Sequence, residues 1–455
     1  MKKTITLRDI REGVVSKIGL VGYGKSNAAV AKMIKRLSPR TLLTLRSDSD
    51  PIGVNPSDFS RILFGKSAFM DLCEDVLFLS PSVRRDRCEL LSLAKQGIPF
   101  SSDAELFFES FQLPIFAISG SDGKSTVTHL CSELTGNTVK SPPSGNYGLP
   151  LATLLEDTSL NGAVVELSSF QLQYLAPRVY RGLITNVSEN HLNWHRDFEE
   201  YISAKEKLLS GADEPMIFVG DEVCDALAKR HKMHTVISDC MQVSDLNLSY
   251  APEHTVTLCD GYICYDGERV IGISDVGRCE KYNIRNLMSA IALSRSYTDT
   301  EKILKTARSF SGLPHRCELV AKHGGVSYVN SSIDTTPKRS ASTIYALDTP
   351  IILIVGGASK GLSYEPLYEA ARTRVKAIIL TGTSASKLYS DANLHALGAK
   401  ILLRDDFEDA VAAAISLAKE GDTVLLSPAH TSYDCFSSFE ERGNLFKRII
   451  KDTVG

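Results

Sequence analysis

The chain has 455 residues, 43% of them apolar and 23% charged, with a formal net charge of −3 from 51 basic and 54 acidic side chains. That length exceeds one hydrophobic core and implies about three domains, and the composition is that of a globular chain. The charge balance gives no electrostatic basis for nucleic acid or an anionic membrane as partner. No run of about 18 apolar residues exists to insert into a bilayer. Met1-Lys2-Lys3-Thr4 leads into polar text rather than an apolar leader, and the ten cysteines include no C-x-x-C pair. The expectation is a cytoplasmic monomer with reduced, mostly structural thiols and neither zinc knuckle nor disulfide framework.

In chain order, a β-rich run from Val14 to Val21 ends in Gly22-Tyr23-Gly24-Lys25-Ser26-Asn27 and precedes an Ala-rich helical stretch to about Leu37. Strands follow over Thr41 to Leu45, ending at Arg46, and over Val76 to Leu79, ending at Ser80-Pro81. This alternation predicts a parallel sheet with its site at the strand C-termini. Asn27 stands at the third glycine of a dinucleotide fingerprint, and Arg46 rather than an acid closes the next strand. A diphosphate over the helix N-terminus at Gly24 to Asn27 is therefore favoured over a redox cofactor.

The second segment opens with an apolar run from Leu113 that enters Gly120-Ser121-Asp122-Gly123-Lys124-Ser125-Thr126, followed by helical text from Val127 to Leu134. Strand, glycine-bounded turn, lysine and hydroxyls in that order suit a nucleoside triphosphate. Glycines let backbone N–H groups close on phosphate oxygens, Lys124 reaches the terminal phosphates, and a hydroxyl meets Mg²⁺. Ile118 replaces the usual first glycine, so a plain strand–turn–helix junction stays open as an alternative. Further strands end at Glu166 and at Ile184-Thr185-Asn186, and short alternating runs between Cys240 and Asp275 predict a small antiparallel sheet appended to the parallel one. A helix from Ile284 to Ser294 precedes a boundary near Ser311-Gly312. The third segment alternates again, with strands over Val326 to Asn330, Ile351 to Val355, Ala377 to Leu380 and Thr423 to Leu426, and a helix over Phe407 to Lys419. The expected class is α/β in three domains, at 1–112, 113–312 and 313–455, the outer two Rossmann-like.

Glu166 ends an apolar strand about forty residues after Lys124, where an acid can face Mg²⁺ or merely solvent. Asn186-Val187-Ser188-Glu189-Asn190-His191 follows. Tyr201 to Lys207 reads, from its own residues, as a helix with a solvated basic face.

Six segments occur in order: Gly120 to Thr126, Gly145-Asn146-Tyr147-Gly148-Leu149-Pro150, Glu166 to Leu172, Asn186 to His191, Tyr201-x-x-Ala204-Lys205 and Gly312 to Glu318. Together they resemble the Mur ligases, the ATP-dependent amino-acid-adding enzymes of peptidoglycan synthesis. The text from Leu426 to Gly443 resembles the branch that adds D-glutamate to UDP-N-acetylmuramoyl-L-alanine.

The resemblance implies an acyl-phosphate mechanism with ATP and two Mg²⁺ ions. It implies catalytic roles for Lys124, Glu166, His191 and Lys205, with Ser125 and Glu166 on one ion, and His191 and Lys205, the latter as a carbamate, serving the other. ATP falls to Gly120 through Thr126 with Asn283 and Arg316. The UDP-linked substrate falls to Gly22, Gly24, Lys25, Ser26, Asn27, Arg46, Ser80, Pro81, Asn146 and His191. D-Glutamate falls to Thr335, Lys360, Ser432, Tyr433 and Phe439. Departures from the family text are Asn190 and Ser331, where an acid is frequent, Tyr282 for a histidine, and Ser363 for an acid. Other Mur-type ligases, folylpolyglutamate synthetase-like enzymes and a non-catalytic nucleotide-binding scaffold are the alternatives.

Overall fold

A computed structural model of the chain describes residues 5–49, 54–70, 72–192, 194–240, 242–277, 279–359 and 361–454. The chain divides into two compact units, Met1–Phe310 and Ser311–Gly455.

The first unit holds two sheets. Five parallel strands run in the spatial order Arg61–Phe64, Leu42–Ser47, Lys17–Val21, Val76–Leu79, Phe100–Ser101. The order reverses beside Lys17–Val21, so the crevice lies at the C-terminal ends of Lys17–Val21 and Val76–Leu79, next to Gly22 and Ser80. All four residues of Val76–Leu79 are buried, as a strand covered by helices on both faces requires. Leu42–Ser47 runs two residues further than the sequence suggests, and Asp48 follows it. The expectation that no acid closes this strand is corrected: Asp48 stands there, held by both outer nitrogens of Arg87 at 2.9 Å. That pairing draws its carboxyl below the ordinary aspartate range.

The second sheet has nine strands, with Val179–Ile184, Ile115–Ser119 and Ala163–Glu166 side by side toward one edge. The expected antiparallel strands, His254–Cys259, Tyr262–Tyr265 and Glu268–Gly272, form its far edge. His254–Cys259 pairs in parallel with Thr235–Ser238 before the direction alternates. They are appended to the parallel sheet, as expected. Every residue of Ile115–Ser119 is buried, as a strand flanked on both sides and covered on both faces requires.

The second unit carries six strands in the order Glu318–His323, Val326–Asn330, Thr423–Leu426, Ile351–Gly356, Val375–Thr381, Lys400–Leu403. Among the described residues, only the edge strand Glu318–His323 is antiparallel to its neighbour. Apolar clusters cover both faces, one containing Leu353, Val355 and Leu380 and the other Ile352, Ile354 and Phe446. No helix among the described residues is long and apolar enough to cross a membrane.

Candidate active site

The strand Ile115–Ser119 runs into Gly120 (φ 144°), and Gly123 (φ 81°) caps the helix Lys124–Thr135. Both glycines are obligatory here. A Cβ on Gly120 would collide with Thr185, and one on Gly123 with the Asn286 carboxamide. The loop is braced from the next strand's end. Asp122 N donates to Asn186 Oδ1 at 3.0 Å, and Asn186 and Thr185 donate back to Asp122 O. Ser121 Oγ bridges Ser188 O, Ser188 N and the Tyr201 hydroxyl, all within 3.0 Å.

Lys124 Nζ folds over this loop and donates to Gly120 O (2.9 Å) and Ser121 O (2.7 Å). Ser125 Oγ donates to Glu166 Oε2 at 2.5 Å, and Asn146 Nδ2 to Glu166 Oε1 at 2.5 Å. The carboxylate is 1% exposed. A buried carboxylate with a hydroxyl against it is a hard-oxygen donor pair of the type Mg²⁺ takes, so the residues fit that ion.

Lys205 lies on the helix Phe198–Ser210, and its exposure of 1% overturns the solvated-face reading. Nζ donates to Gly120 O at 2.6 Å, the carbonyl that Lys124 also uses, and lies 4.6 Å over the Tyr201 ring. Burial, then the neighbouring Lys124 charge, hold its pKa well below the lysine range. Lys207 is not solvated either: Nζ donates to Leu172 O (3.2 Å) and Gln173 O (2.5 Å), closing the helix Ser169–Tyr174.

His191 is exposed on a left-handed turn (φ 56°), which costs an L-residue about 1–2 kcal/mol. Asn190 Oδ1 accepts the His191 amide at 2.9 Å, so the departure at 190 braces the turn. The His191 ring meets Phe170 edge-on at 4.9 Å. At the adenine-side position, Asn283 is buried and donates to Glu280, while Tyr282 is 42% exposed beside it.

In the five-stranded sheet, Gly22 (φ 76°) and Gly24 lie against Ser80, and Gly24 caps the helix Lys25–Leu37. Asn27 is fully buried and donates to Val21 O, Gly22 O and Phe78 O, bracing the loop from beneath. Arg46 is also fully buried. Its nitrogens are committed to Glu74 and to the carbonyls of Ala68 and Met70, which makes it a strut between segments. Asp103 is buried without a hydrogen bond of normal geometry to either oxygen, and burial raises its pKa to about 6.

In the second unit, Thr335, Ser432 and Tyr433 lie on the loops beyond the C-terminal ends of Val326–Asn330 and Thr423–Leu426, and Phe439 opens the helix Phe439–Val454 that follows; Lys360 lies outside the described residues. Sequence reasoning missed the group that ties these loops together. Arg442 is 2% exposed and donates to Ser332 Oγ and O, Gly356 O, His430 O and Thr431 O, at 3.0–3.4 Å. Burial lowers its pKa to about 10. Ser332 Oγ passes the link on to Phe439 O at 2.8 Å. Arg316 stands between two left-handed residues, His315 and Cys317. Ser331 Oγ accepts the Cys317 amide (3.2 Å), whereas Asp334 turns inward to Thr343 and Ser427 and does not replace the acid missing at 331. Among the described residues, no group of three or more His, Cys, Asp or Glu is arranged as a metal cluster.

Residues 118–294 match the Mur ligase middle domain, and residues 315–430 match the glutamate ligase domain of Mur ligases. The chain is 31% identical over 446 residues to the UDP-N-acetylmuramoylalanine–D-glutamate ligase of Clostridium botulinum (strain Langeland), covering 95% of this chain and 96% of the relative. The likeness to the enzyme of that name from Clostridium novyi (strain NT) is also 31%, over 99% and 100% of the two chains. The chain belongs to the Mur ligase family. It is thus an ATP-dependent amide-bond-forming enzyme. Its fold is like that of the UDP-N-acetylmuramate-alanine ligase of Thermotoga maritima (TM-score 0.59, 17% identity, 96% and 99% covered). It is also like that of the MurF ligase of the same organism in complex with ADP (0.55, 16%, 96% and 95%). Of the residues that the Mur ligase resemblance nominates, the structure brings together Lys124, Ser125, Glu166, Asn146 and Lys205 around one loop.

Proposed function

We propose that this Mur ligase joins D-glutamate to UDP-N-acetylmuramoyl-L-alanine at the expense of ATP, in the cytoplasmic assembly of cell-wall precursor. The observation that carries the reading is the convergence of Lys124 and Lys205 on Gly120 O beside the Ser125–Glu166 pair. The D-glutamate assignment draws on the near-full-length relatives, which are named as D-glutamate ligases, and on the residues from Leu426 to Gly443.

In the proposed reaction a carboxylate oxygen of the acceptor takes the γ-phosphoryl group and ADP leaves. The D-glutamate amine then adds to the acyl carbon, and the tetrahedral intermediate expels phosphate to leave the amide. Negative charge grows on oxygens in both steps. Lys124 supplies a fixed positive charge where the phosphates would lie, an effect of about 10²–10³ in rate for a single well-placed donor. Ser125 and Glu166 would hold one Mg²⁺, and His191 with Lys205 a second. When bound, such ions neutralise phosphate charge.

Lys205 is suited to its role because burial and the Lys124 charge favour its neutral amine, the form that captures CO₂ as a carbamate with loss of a proton, turning a buried base into an anionic oxygen donor. Asn283 and Arg316 are assigned to ATP. The Gly22–Asn27 turn with Ser80 and Pro81 is assigned to the UDP group, and the loops that Arg442 gathers are assigned to D-glutamate. Arg46 and Asn27 serve this site as braces rather than as ligand contacts. Phosphate release in the presence of each substrate alone and in combination tests the reading, as does Lys124→Ala, which should lower kcat by at least about tenfold. A Lys124→Ala enzyme with unchanged kcat would remove the phosphate-binding role from this loop.

A further inference from the structure

The left-handed backbone at His191 persists only if its surroundings enforce it. His191 O accepts the amides of Trp194 and His195, at 2.9 and 3.0 Å, so these two residues define the turn. Each is fixed by a side chain from elsewhere. The buried His195 ring meets Ser169 Oγ at 2.9 Å. Trp194 is held by the segment that follows Val76–Leu79. Its indole N–H donates to Ser82 O at 2.9 Å, its carbonyl accepts Arg84 Nη1, and the Arg84 guanidinium lies 4.9 Å over its ring. Phe170 packs at 4.4 Å from the Trp194 ring and also touches His191.

Arg84 reaches further. Its outer nitrogens meet both oxygens of Glu200, at 3.1 Å each, on the helix that carries Lys205, and it pairs with Asp86 at 2.7 Å. The Glu200 carboxyl is drawn down to about 2, chiefly by its bond to Arg84. One guanidinium thus joins three pieces: the loop after Ser80-Pro81, the turn of His191, and the helix of Lys205.

We infer that Arg84 is a positioning residue, presenting His191 and the Ser80-Pro81 segment together to the UDP-linked acceptor. The inference rests on the proposed assignment of those residues to that substrate. Arg84 acts through Trp194 and Glu200. Lysine cannot take its place fully, because a single ammonium cannot stack on the indole and span a carboxylate while holding a carbonyl.

Trp194 is the only tryptophan of the chain, so its emission reports on this turn independently of turnover. The experiment compares Arg84→Met and Arg84→Lys with the parent enzyme in full length. It reads Trp194 emission and acrylamide quenching, then kcat and the three KM values. In Arg84→Met, emission should move to longer wavelength and quench more readily. KM for the UDP-linked acceptor should rise about tenfold with a fall in kcat, while KM for ATP and for D-glutamate stay within about twofold. Arg84→Lys should fall between. Unchanged emission and acceptor KM in Arg84→Met would overturn the inference, as would an equal rise in all three KM values. If Arg84→Met does not fold, Trp194→Phe, which keeps a smaller aromatic ring and loses the Ser82 bond with part of the surface under Arg84, should show the same KM split in weaker form, and its absence would equally overturn the inference. A parent enzyme that binds the acceptor yet fails to turn over with D-glutamate contradicts the functional reading, and the emission comparison still decides the role of Arg84.

Discussion

Replacing Lys205 by methionine separates a chemical role for this buried amine from a structural one. The amine has two oxygen partners in the fold, Gly120 O at 2.6 Å and Ser119 Oγ at 3.4 Å. Loss of these bonds costs about 1 kcal/mol each. Gly120 O keeps Lys124 as a donor, so no carbonyl is orphaned. Methionine fills a similar volume and removes a group whose protonated form the fold disfavours through burial and the Lys124 charge. The two effects oppose, and stability near neutral pH should stay within about 1 kcal/mol of the parent. The linkage has a definite sign. Between the depressed folded pKa and the ordinary value of about 10.4, the unfolded chain holds a proton that the folded chain lacks. Parent stability therefore rises with pH across that window, by up to about 1.4 kcal/mol per unit from this group. The variant should lose that rise. Turnover should nevertheless fall about 10²–10³-fold, the range for removing a group that stabilises transition-state charge. A small carboxylate such as acetate should restore part of it, whereas bicarbonate should not, since the amine that captures CO₂ is gone. Urea denaturation from pH 6 to 9 beside phosphate release measures both. Full activity, or several kcal/mol of lost stability, would refute the reasoning.

Lys207→Ala should destabilise the enzyme by about 1 kcal/mol, since it strips the donors from Leu172 O and Gln173 O; an unchanged urea midpoint would return Lys207 to the solvated surface. Asp103 holds its proton to about pH 6 in the fold against 3.8 ordinarily, so parent stability should fall by about 2 kcal/mol as pH rises from 4 to 6. Asp103→Asn should abolish that fall, and parallel midpoint-versus-pH profiles would contradict it. Arg442→Lys cannot span the oxygens of residues 332, 356, 430 and 431, and should cost about 2–4 kcal/mol. Its KM for D-glutamate should rise more than that for the UDP-linked acceptor; equal shifts would separate Arg442 from the amino-acid loops.

The loop from Gly120 to Thr126 was legible because its chemistry is contiguous: strand, glycines, lysine and hydroxyls follow one another, and the fold keeps that order. Glu166 was legible for a similar reason, ending a strand of four buried residues. Lys205 was not. Nothing in Tyr201 to Lys207 reveals which helix face lies against the sheet, and a lysine reads as solvent-facing until the packing is known. Arg46 misled in the opposite sense, because its partner Glu74 lies 28 residues on. Asp48 was missed because Leu42–Ser47 outlasts its apolar text by two residues. Short strands such as Arg61–Phe64 and Phe100–Ser101 carry too few residues to show a period. Arg84 and Arg442 escaped entirely, since each binds carbonyls or carboxylates about 110 residues away. Such contacts leave no local pattern.

The central claim is the identity of the joined substrates, and phosphate release measures it most directly. With ATP and UDP-N-acetylmuramoyl-L-alanine both present, adding D-glutamate should release phosphate in step with amide formation, and omitting any one of the three should stop it. Equal phosphate release with L-glutamate or L-alanine in place of D-glutamate would contradict the account.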